Sequence, residues 1–188
     1  MIKFKFNEVK TTQAVSLFLH KNGGKMNYMK LIKLLYLTDR EALTHWERPL
    51  TGDTYVSMKR GPVLSNVLDM INNGEDPEDN SYWYKYLTAP SNYEIALKGD
   101  IPELTTLSKR EIALIDELFE KFKDFSPWDM VKLCHEILPE LEDVGDSSKR
   151  IEIDTILTLE DKTKDDIERI EEEISNLNYV REILSINA

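Results

Sequence analysis

The chain has 188 residues, of which 41% are hydrophobic and 31% are charged, as in an ordinary soluble globular domain. Its net charge of −11 disfavours non-specific binding to the phosphate backbone of nucleic acids. The apolar runs are shorter than the roughly 20 residues of a membrane-spanning helix. The single cysteine, Cys134, cannot form an intrachain disulfide, so we expect a cytoplasmic protein.

Two helices are predicted near the start of the chain. The first covers residues 11–20 and ends at a pair of glycines that break helices. The second covers residues 28–46, and Asn27 can cap its first turn. Its apolar residues occupy so wide an arc that we expect this helix to be largely buried and to form the centre of the fold.

The next segment combines strand and helix signals around two cations. Residues 54–58 are β-branched and aromatic and predict a short strand. Lys59, Arg60 and Gly61 follow, and Pro62 fits the first position of a helix. Two cations at a helix N-terminus favour an anion or phosphate site, whereas a glycine-proline joint with solvated charges is purely architectural. The residues alone favour the joint.

Two aromatic segments then predict further strands. Residues 82–86, which are mostly aromatic, and residues 93–97 resemble strands, and with residues 54–58 they are expected to form a small antiparallel sheet. Residues 75–80 are predicted to be an acidic loop. We interpret the aromatic cluster as sheet packing, because a base-stacking surface would carry more basic residues between the rings.

Two helix starts are marked by their capping residues. Ser108 and Glu111 have the spacing of a capping box. Ser126, Pro127 and Asp129 provide an N-cap, a first-turn proline and an acidic residue at the positive end of the helix dipole. Both segments continue with apolar residues at helical spacing, so each predicts an amphipathic helix.

The composition changes after Gly145. Residues 146–150 resemble a linker, residues 151–154 predict an edge strand or an extended arm, and residues 164–184 predict an amphipathic helix. Its apolar stripe includes Ile170, Ile174 and Leu177. We therefore expect an α+β fold: a mainly helical core with a small antiparallel sheet in residues 1–145, and a C-terminal extension, residues 146–188, whose helix packs on the same domain.

Residue patterns typical of catalysis and metal binding are not found. The sequence contains neither a phosphate-binding loop nor a nucleophile motif. His20, His45 and His135 are far apart in sequence, and Cys134 and His135 point in different directions if they lie on a helix. We predict no catalytic residue, no metal site and no cofactor.

Three motifs in order resemble one known family. KLIKLLYLTDR (residues 30–40), RPLTGD (residues 48–53) and RGPV (residues 60–63) are similar to the motifs of the Panacea (SocA-like) antitoxin domain. The resemblance covers roughly residues 10–145 and includes the two capped helices of the second half. This sequence departs from the pattern at Glu47, where the family often has glycine before the Arg-Pro pair.

The resemblance implies a non-catalytic binding module in bacteria and their phages. Such proteins are typically encoded beside a toxin and neutralise it by direct contact, and some relatives deliver the toxin to a protease as adaptors. The predicted partner is therefore a cognate toxin, with a protease or unfoldase as the adaptor alternative. A small phosphate-binding enzyme is the other alternative, and the sequence leaves a homo-oligomer open.

The predicted partner-binding residues fall into two groups. In the domain they are the cations Arg40, Lys59 and Arg60, because arginine anchors are common in interfaces. If the terminal helix makes the contact instead, the expected residues are Ile170, Ile174 and Leu177.

Overall fold

The computed structural model describes residues 2–74 and 81–186, which form eight helices and five short strands. The helices are α1 Glu8–Lys21, α2 Tyr28–Trp46, α3 Ser65–Asn73, α4 Tyr82–Tyr86, α5 Lys109–Phe122, α6 Pro127–Ile137, α7 Ile153–Leu159 and α8 Lys164–Ile186. The strands are β1 Lys25–Asn27, β2 Tyr55–Met58, β3 Gly61–Leu64, β4 Glu94–Ala96 and β5 Ser148–Ile151. The predicted α+β class is confirmed, and the predicted acidic loop at 75–80 lies outside the described residues.

Helix α2 is the centre of the core, as its wide apolar arc predicted. The Asn27 side chain accepts a hydrogen bond from the Met29 N–H at 3.0 Å and so caps the first turn. Leu31, Leu34 and Leu35 are inaccessible to solvent. Helices α1, α5, α6 and α7 pack around α2, so the residues of α2 reach most other parts of the molecule.

The strands form two separate antiparallel sheets. In the larger sheet β2 lies between β3 and β5, and Tyr55 pairs with Leu64 on one side and with Ile151 on the other. In the smaller sheet β1 pairs with β4, with Met26 opposite Ile95. The prediction of one sheet containing residues 54–58, 82–86 and 93–97 is therefore wrong: β4 pairs with a strand that the sequence did not indicate.

Residues 82–86 form helix α4 and not the predicted strand. The Glu8 carboxylate accepts hydrogen bonds from the Ser81 hydroxyl and, at 2.9 Å, from the Trp83 N–H. A carboxylate bound at this end stabilises a helical turn through its exposed amides and dipole. Trp83 is fully buried. Aromatic residues fit a buried helix as well as a strand, and the contacts with the distant Glu8 favour the helix here.

Pro62 does not begin a helix. It lies in strand β3 at the edge of its sheet, opposite Ser57, where the missing N–H of proline is tolerated. Gly61 precedes it with φ of +87°, a left-handed conformation that favours glycine. Helix α3 begins at Ser65, three residues later than predicted.

Both predicted capping boxes are present. The Glu111 N–H donates to the Ser108 hydroxyl at 3.3 Å, and the Ser108 N–H donates to the Glu111 carboxylate at 2.8 Å. Ser126 and Asp129 make the same reciprocal pair at the start of α6. Local sequence signals therefore fix the starts of α5 and α6 correctly.

The C-terminal segment is more ordered than a linker and an arm. Strand β5 begins inside the predicted linker, and residues 153–159 form helix α7. Helix α8 occupies the predicted position. Glu47, the C-cap of α2, accepts from Arg169 of α8 at 2.9 Å and from Lys162, which precedes α8, at 2.8 Å. Across the described ranges, no helix is both long and apolar enough to cross a bilayer.

Candidate partner-binding surface

A groove opens between the start of α2, the β2–β3 hairpin and α3. Its volume is about 340 Å³. The residues that line it are mostly apolar, with cations on one side: Tyr28, Met29, Ile32, Lys33, Met58, Lys59, Arg60, Gly61, Val63, Leu68 and Asn72. None of these lining residues is acidic, although the whole chain has a net charge of −11. We call this feature the hairpin groove.

An exposed cation–aromatic patch adjoins the hairpin groove. The Arg60 guanidinium lies 5.3 Å from the centre of the Trp128 ring, within the range of a cation–π contact. Trp128 is 60% exposed, the third largest exposure among the large hydrophobic residues described. Lys59 pairs with Asp146 at 2.7 Å, but both side chains are largely exposed, so the pair contributes little stability. We call Lys59, Arg60 and Trp128 the hairpin patch.

Lys33 lies at the floor of the hairpin groove with only 2% of its surface exposed. Its ammonium donates to the Pro62 carbonyl at 2.6 Å. Within the described residues, no carboxylate lies within ion-pair distance of it. Burial lowers the pKa of Lys33 to about 8, against a smaller opposing effect of Cys134. The groove therefore contains a cation that is poorly compensated by its own chain.

Cys134 is packed beside this lysine and is a core residue. Burial raises the pKa of its thiol to about 11, so the thiol is protonated near neutral pH and unsuited to nucleophilic attack. A Cβ added at Gly61 would lie 3.4 Å from the Lys33 Cε and 3.6 Å from the Cys134 Cβ. Three elements meet closely at this point, and glycine allows that approach.

The three sequence motifs are connected through buried polar contacts. Asp39, in the first motif, accepts from the backbone N–H groups of Leu50 and Thr51 in the second, at 2.9 and 2.8 Å. The Thr51 hydroxyl and the Tyr55 hydroxyl also donate to its carboxylate. Burial raises the pKa of Asp39 to about 7, although these hydrogen bonds oppose the shift. Lys33, also in the first motif, binds the carbonyl of Pro62 in the third.

Asp53, at the end of the second motif, caps helix α3 from a distance. Its carboxylate accepts from the Asn66 N–H at 2.9 Å and from the Val67 N–H at 3.1 Å. These are free amides of a helix N-terminus, the groups that would bind an anion. Since Asp53 already occupies them, the phosphate-site alternative lacks the geometry that it required.

Arg40 is bound within its own chain. Its guanidinium donates to Glu140 at 2.8 and 3.2 Å and to Glu160 at 2.7 Å. The Glu140 side chain is fully buried and also accepts from the Tyr36 hydroxyl at 2.8 Å. Arg40 thus connects α2 to the segments that follow α6 and α7.

The predicted contact residues are not brought together in one place. Lys59 and Arg60 lie side by side at the hairpin groove, whereas Ile170 and Ile174 are 2% and 8% exposed and pack into the core from α8. Leu177 is 36% exposed. Their role in binding a partner stays a prediction.

Two members of the site were missed at the sequence level. Trp128 lies in the first turn of α6, before the buried face begins at Met130 and Val131, so its apolar character does not indicate that it is exposed. The polar character of Lys33 predicts a position on a solvent-facing side of α2. Apolar residues flank Lys33 on both sides in the sequence of α2, and this pattern is the signal that indicates its burial.

No group of three or more histidine, cysteine or acidic side chains in residues 2–74 and 81–186 is arranged to hold a metal ion. His45 contacts Glu41, four residues away on the same helix, at 3.2 Å.

The fold and these contacts define a class: an α+β domain in which a buried central helix carries the first motif and is bonded to the segments that carry the other two. The chain belongs to the antitoxin SocA-like family, since the family model for the antitoxin SocA-like, Panacea domain matches residues 31–138, more than half of the chain. The resemblance seen in the motifs is confirmed. No curated protein and no solved structure matches the chain.

Proposed function

We propose that this protein is a cytoplasmic bacterial antitoxin that neutralises a cognate toxin by direct protein–protein contact, without catalysis. Membership of the SocA-like family supports the antitoxin role. The observation that carries the binding surface is the exposed pair of Arg60 and Trp128 beside the hairpin groove. Tryptophan and arginine are the residue types most enriched among the anchors of protein interfaces.

The buried motif residues support a structural role that is separate from the binding role of the hairpin patch. Asp39, Asp53 and Arg40 make their hydrogen bonds within the molecule, so these residues stabilise the fold. The hairpin patch presents its charged and aromatic groups to solvent. A partner that covers the patch gains buried apolar area and cation–π contacts there.

The experiment is a growth assay with the product of the neighbouring gene. We expect expression of that product to arrest growth, co-expression of the wild-type chain to restore it, and both proteins to co-purify. Arg60→Ala with Trp128→Ala should weaken binding by about 30-fold or more, since a single anchor residue contributes about 2 kcal/mol or more.

Lys164→Ala is the matched control, because Lys164 is exposed and pairs only within its own helix in the described contacts. Circular dichroism melting shows whether each variant is folded. If the wild-type chain neither binds the neighbouring product nor restores growth, the antitoxin proposal is wrong. If the Arg60/Trp128 double variant is folded and fully active, the antitoxin role stands and the patch is not its contact.

A further inference from the structure

The shape and lining of the hairpin groove suit a short segment of a partner. Its volume of about 340 Å³ lies near the lower end of the roughly 300–1,000 Å³ range of ligand pockets. Ile32, Met58 and Leu68 contribute an apolar surface from three different elements. A site of this size and composition accommodates one or two apolar side chains of a docked peptide segment.

The charges around the groove select for a carboxylate. Lys33, Lys59 and Arg60 all line it, and no lining residue is acidic. This local excess of positive charge lies in a chain with 35 acidic and 24 basic residues. Such a reversal of sign at an apolar groove favours an approaching negative charge through electrostatic complementarity.

The buried ammonium of Lys33 increases the preference of the groove for a carboxylate. A charge removed from water is costly unless it is paired, and among the described residues Lys33 donates a hydrogen bond to the Pro62 carbonyl alone. A carboxylate that reaches the groove floor would compensate that charge. Arg60, together with Lys59 once its exposed pair with Asp146 opens, would hold a second carboxylate nearer the rim.

We propose that the hairpin groove binds a segment of the cognate toxin in which an apolar side chain lies next to one or more carboxylates. This inference rests on the proposed antitoxin function and names the chemistry of the contact. A free phosphate or nucleotide fits less well, because the walls are apolar and the amides of α3 are already bound by Asp53.

The first test maps the segment on the toxin. Overlapping synthetic peptides that cover the neighbouring gene product are titrated with the wild-type protein by fluorescence anisotropy. We expect the binding peptides to contain an apolar residue beside Asp or Glu. Replacing that acid by its amide should weaken binding about 10- to 100-fold, because hydrogen bonds to charged groups contribute about 1.5–3 kcal/mol.

The second test changes the groove and uses the intact toxin. Lys33→Met removes the buried charge and keeps an apolar chain of similar length, so it should preserve or raise the melting temperature and still weaken binding about 10-fold. A purely structural lysine would not give this combination. Lys59→Glu with Arg60→Glu should weaken binding more strongly at low salt than at high salt.

Lys132→Glu with Lys164→Glu is the matched control, since it changes the net charge equally at two exposed sites outside the groove. If the groove variants bind and neutralise the toxin as well as wild type does, or if the bound peptides lack acids, the inference is wrong while the antitoxin function stands. If wild type binds no toxin, both proposals are wrong. A dimer of this chain that the groove variants dissociate would assign the groove to a second copy and also overturn the inference.

Discussion

Replacing Asp39 by asparagine tests whether the most buried acid of the family signature has a structural role. Asp39 is fully buried and accepts four hydrogen bonds. Burial raises its pKa to about 7 from an ordinary 3.8. Between these two values the folded state binds a proton that the unfolded state releases, so the free energy of unfolding falls as the pH rises.

The size of the change in the free energy of unfolding follows from the pH interval over which Asp39 titrates in the folded protein. The stabilising effect is fully present below the unfolded pKa and is lost as the pH rises through about 7. From about pH 5.5 to pH 7 the wild type loses roughly 1.36 kcal/mol per pH unit, about 2 kcal/mol in all. Above that pH, Asp39 is ionised in both states and its contribution is constant.

Asparagine has nearly the same shape as aspartate and does not titrate. Its carbonyl oxygen can accept from the Leu50 and Thr51 amides, and its NH₂ group can donate to the hydroxyls of Thr51 and Tyr55, which also act as acceptors. We expect Asp39→Asn to be close to wild type at about pH 5.5 and about 2 kcal/mol more stable, relative to wild type, at about pH 8. Toxin binding should be unchanged.

Urea unfolding followed by circular dichroism at several pH values measures this difference. Asp39→Ala is the contrasting variant: it leaves two buried amides without an acceptor, each at a cost of about 1–3 kcal/mol, and should be strongly destabilised at every pH. If the stability difference between wild type and Asp39→Asn is the same at both ends of the pH range, Asp39 does not titrate there and the reasoning fails.

Three further substitutions test other parts of the scaffold by thermal and urea unfolding. Gly52→Ala should cost about 2 kcal/mol or more, because Gly52 has φ of +68° and its new Cβ would collide with the backbone carbonyl of Lys5. Arg40→Met should cost about 3–5 kcal/mol by leaving Glu140 buried without its cation, and adding Glu140→Met should restore much of the loss. Ile170→Ala should cost about 2–4 kcal/mol, since this side chain is buried in the core.

The chain offers a matched control for two of these changes. Gly23→Ala has a similar φ of +81° with open space around the new Cβ, so it reports backbone strain alone and should be milder than Gly52→Ala. Leu177→Ala removes a more exposed side chain of the same helix and should cost less than Ile170→Ala. Equal effects within either pair would contradict the packing described for Gly52 or Ile170.

Elements with strong local signals could be predicted from the sequence. Helix α2 follows from its wide apolar arc and from Asn27, and α5 and α6 follow from their capping boxes. Helix α4 could not be predicted in the same way, because its first turn is capped by Glu8 from α1. Pro62 was misplaced for a similar reason: the edge of a sheet tolerates proline, and sheet edges are set by distant pairing.

The candidate site also contains residues that could be predicted from the sequence and residues that could not. Lys59 and Arg60 could be expected at a surface because they lie next to a turn. The environment of Arg40 depends on Glu140, 100 residues later in the chain, and no local pattern connects them. The burial of Lys33 likewise requires the hairpin to fold over α2, a long-range event that local spacing does not encode.

Strand β5 has a practical consequence for the boundaries of the protein. It pairs with β2 from residues 148–151, beyond the family match that ends at residue 138. A polypeptide truncated at residue 145 would leave the unpaired amides and carbonyls of β2 open to pairing between molecules, a recognised route to aggregation. We therefore propose that residues 146–188 belong to the same folding unit as the preceding domain. The region matched by the family model is then shorter than the smallest fragment that stays monodisperse in solution.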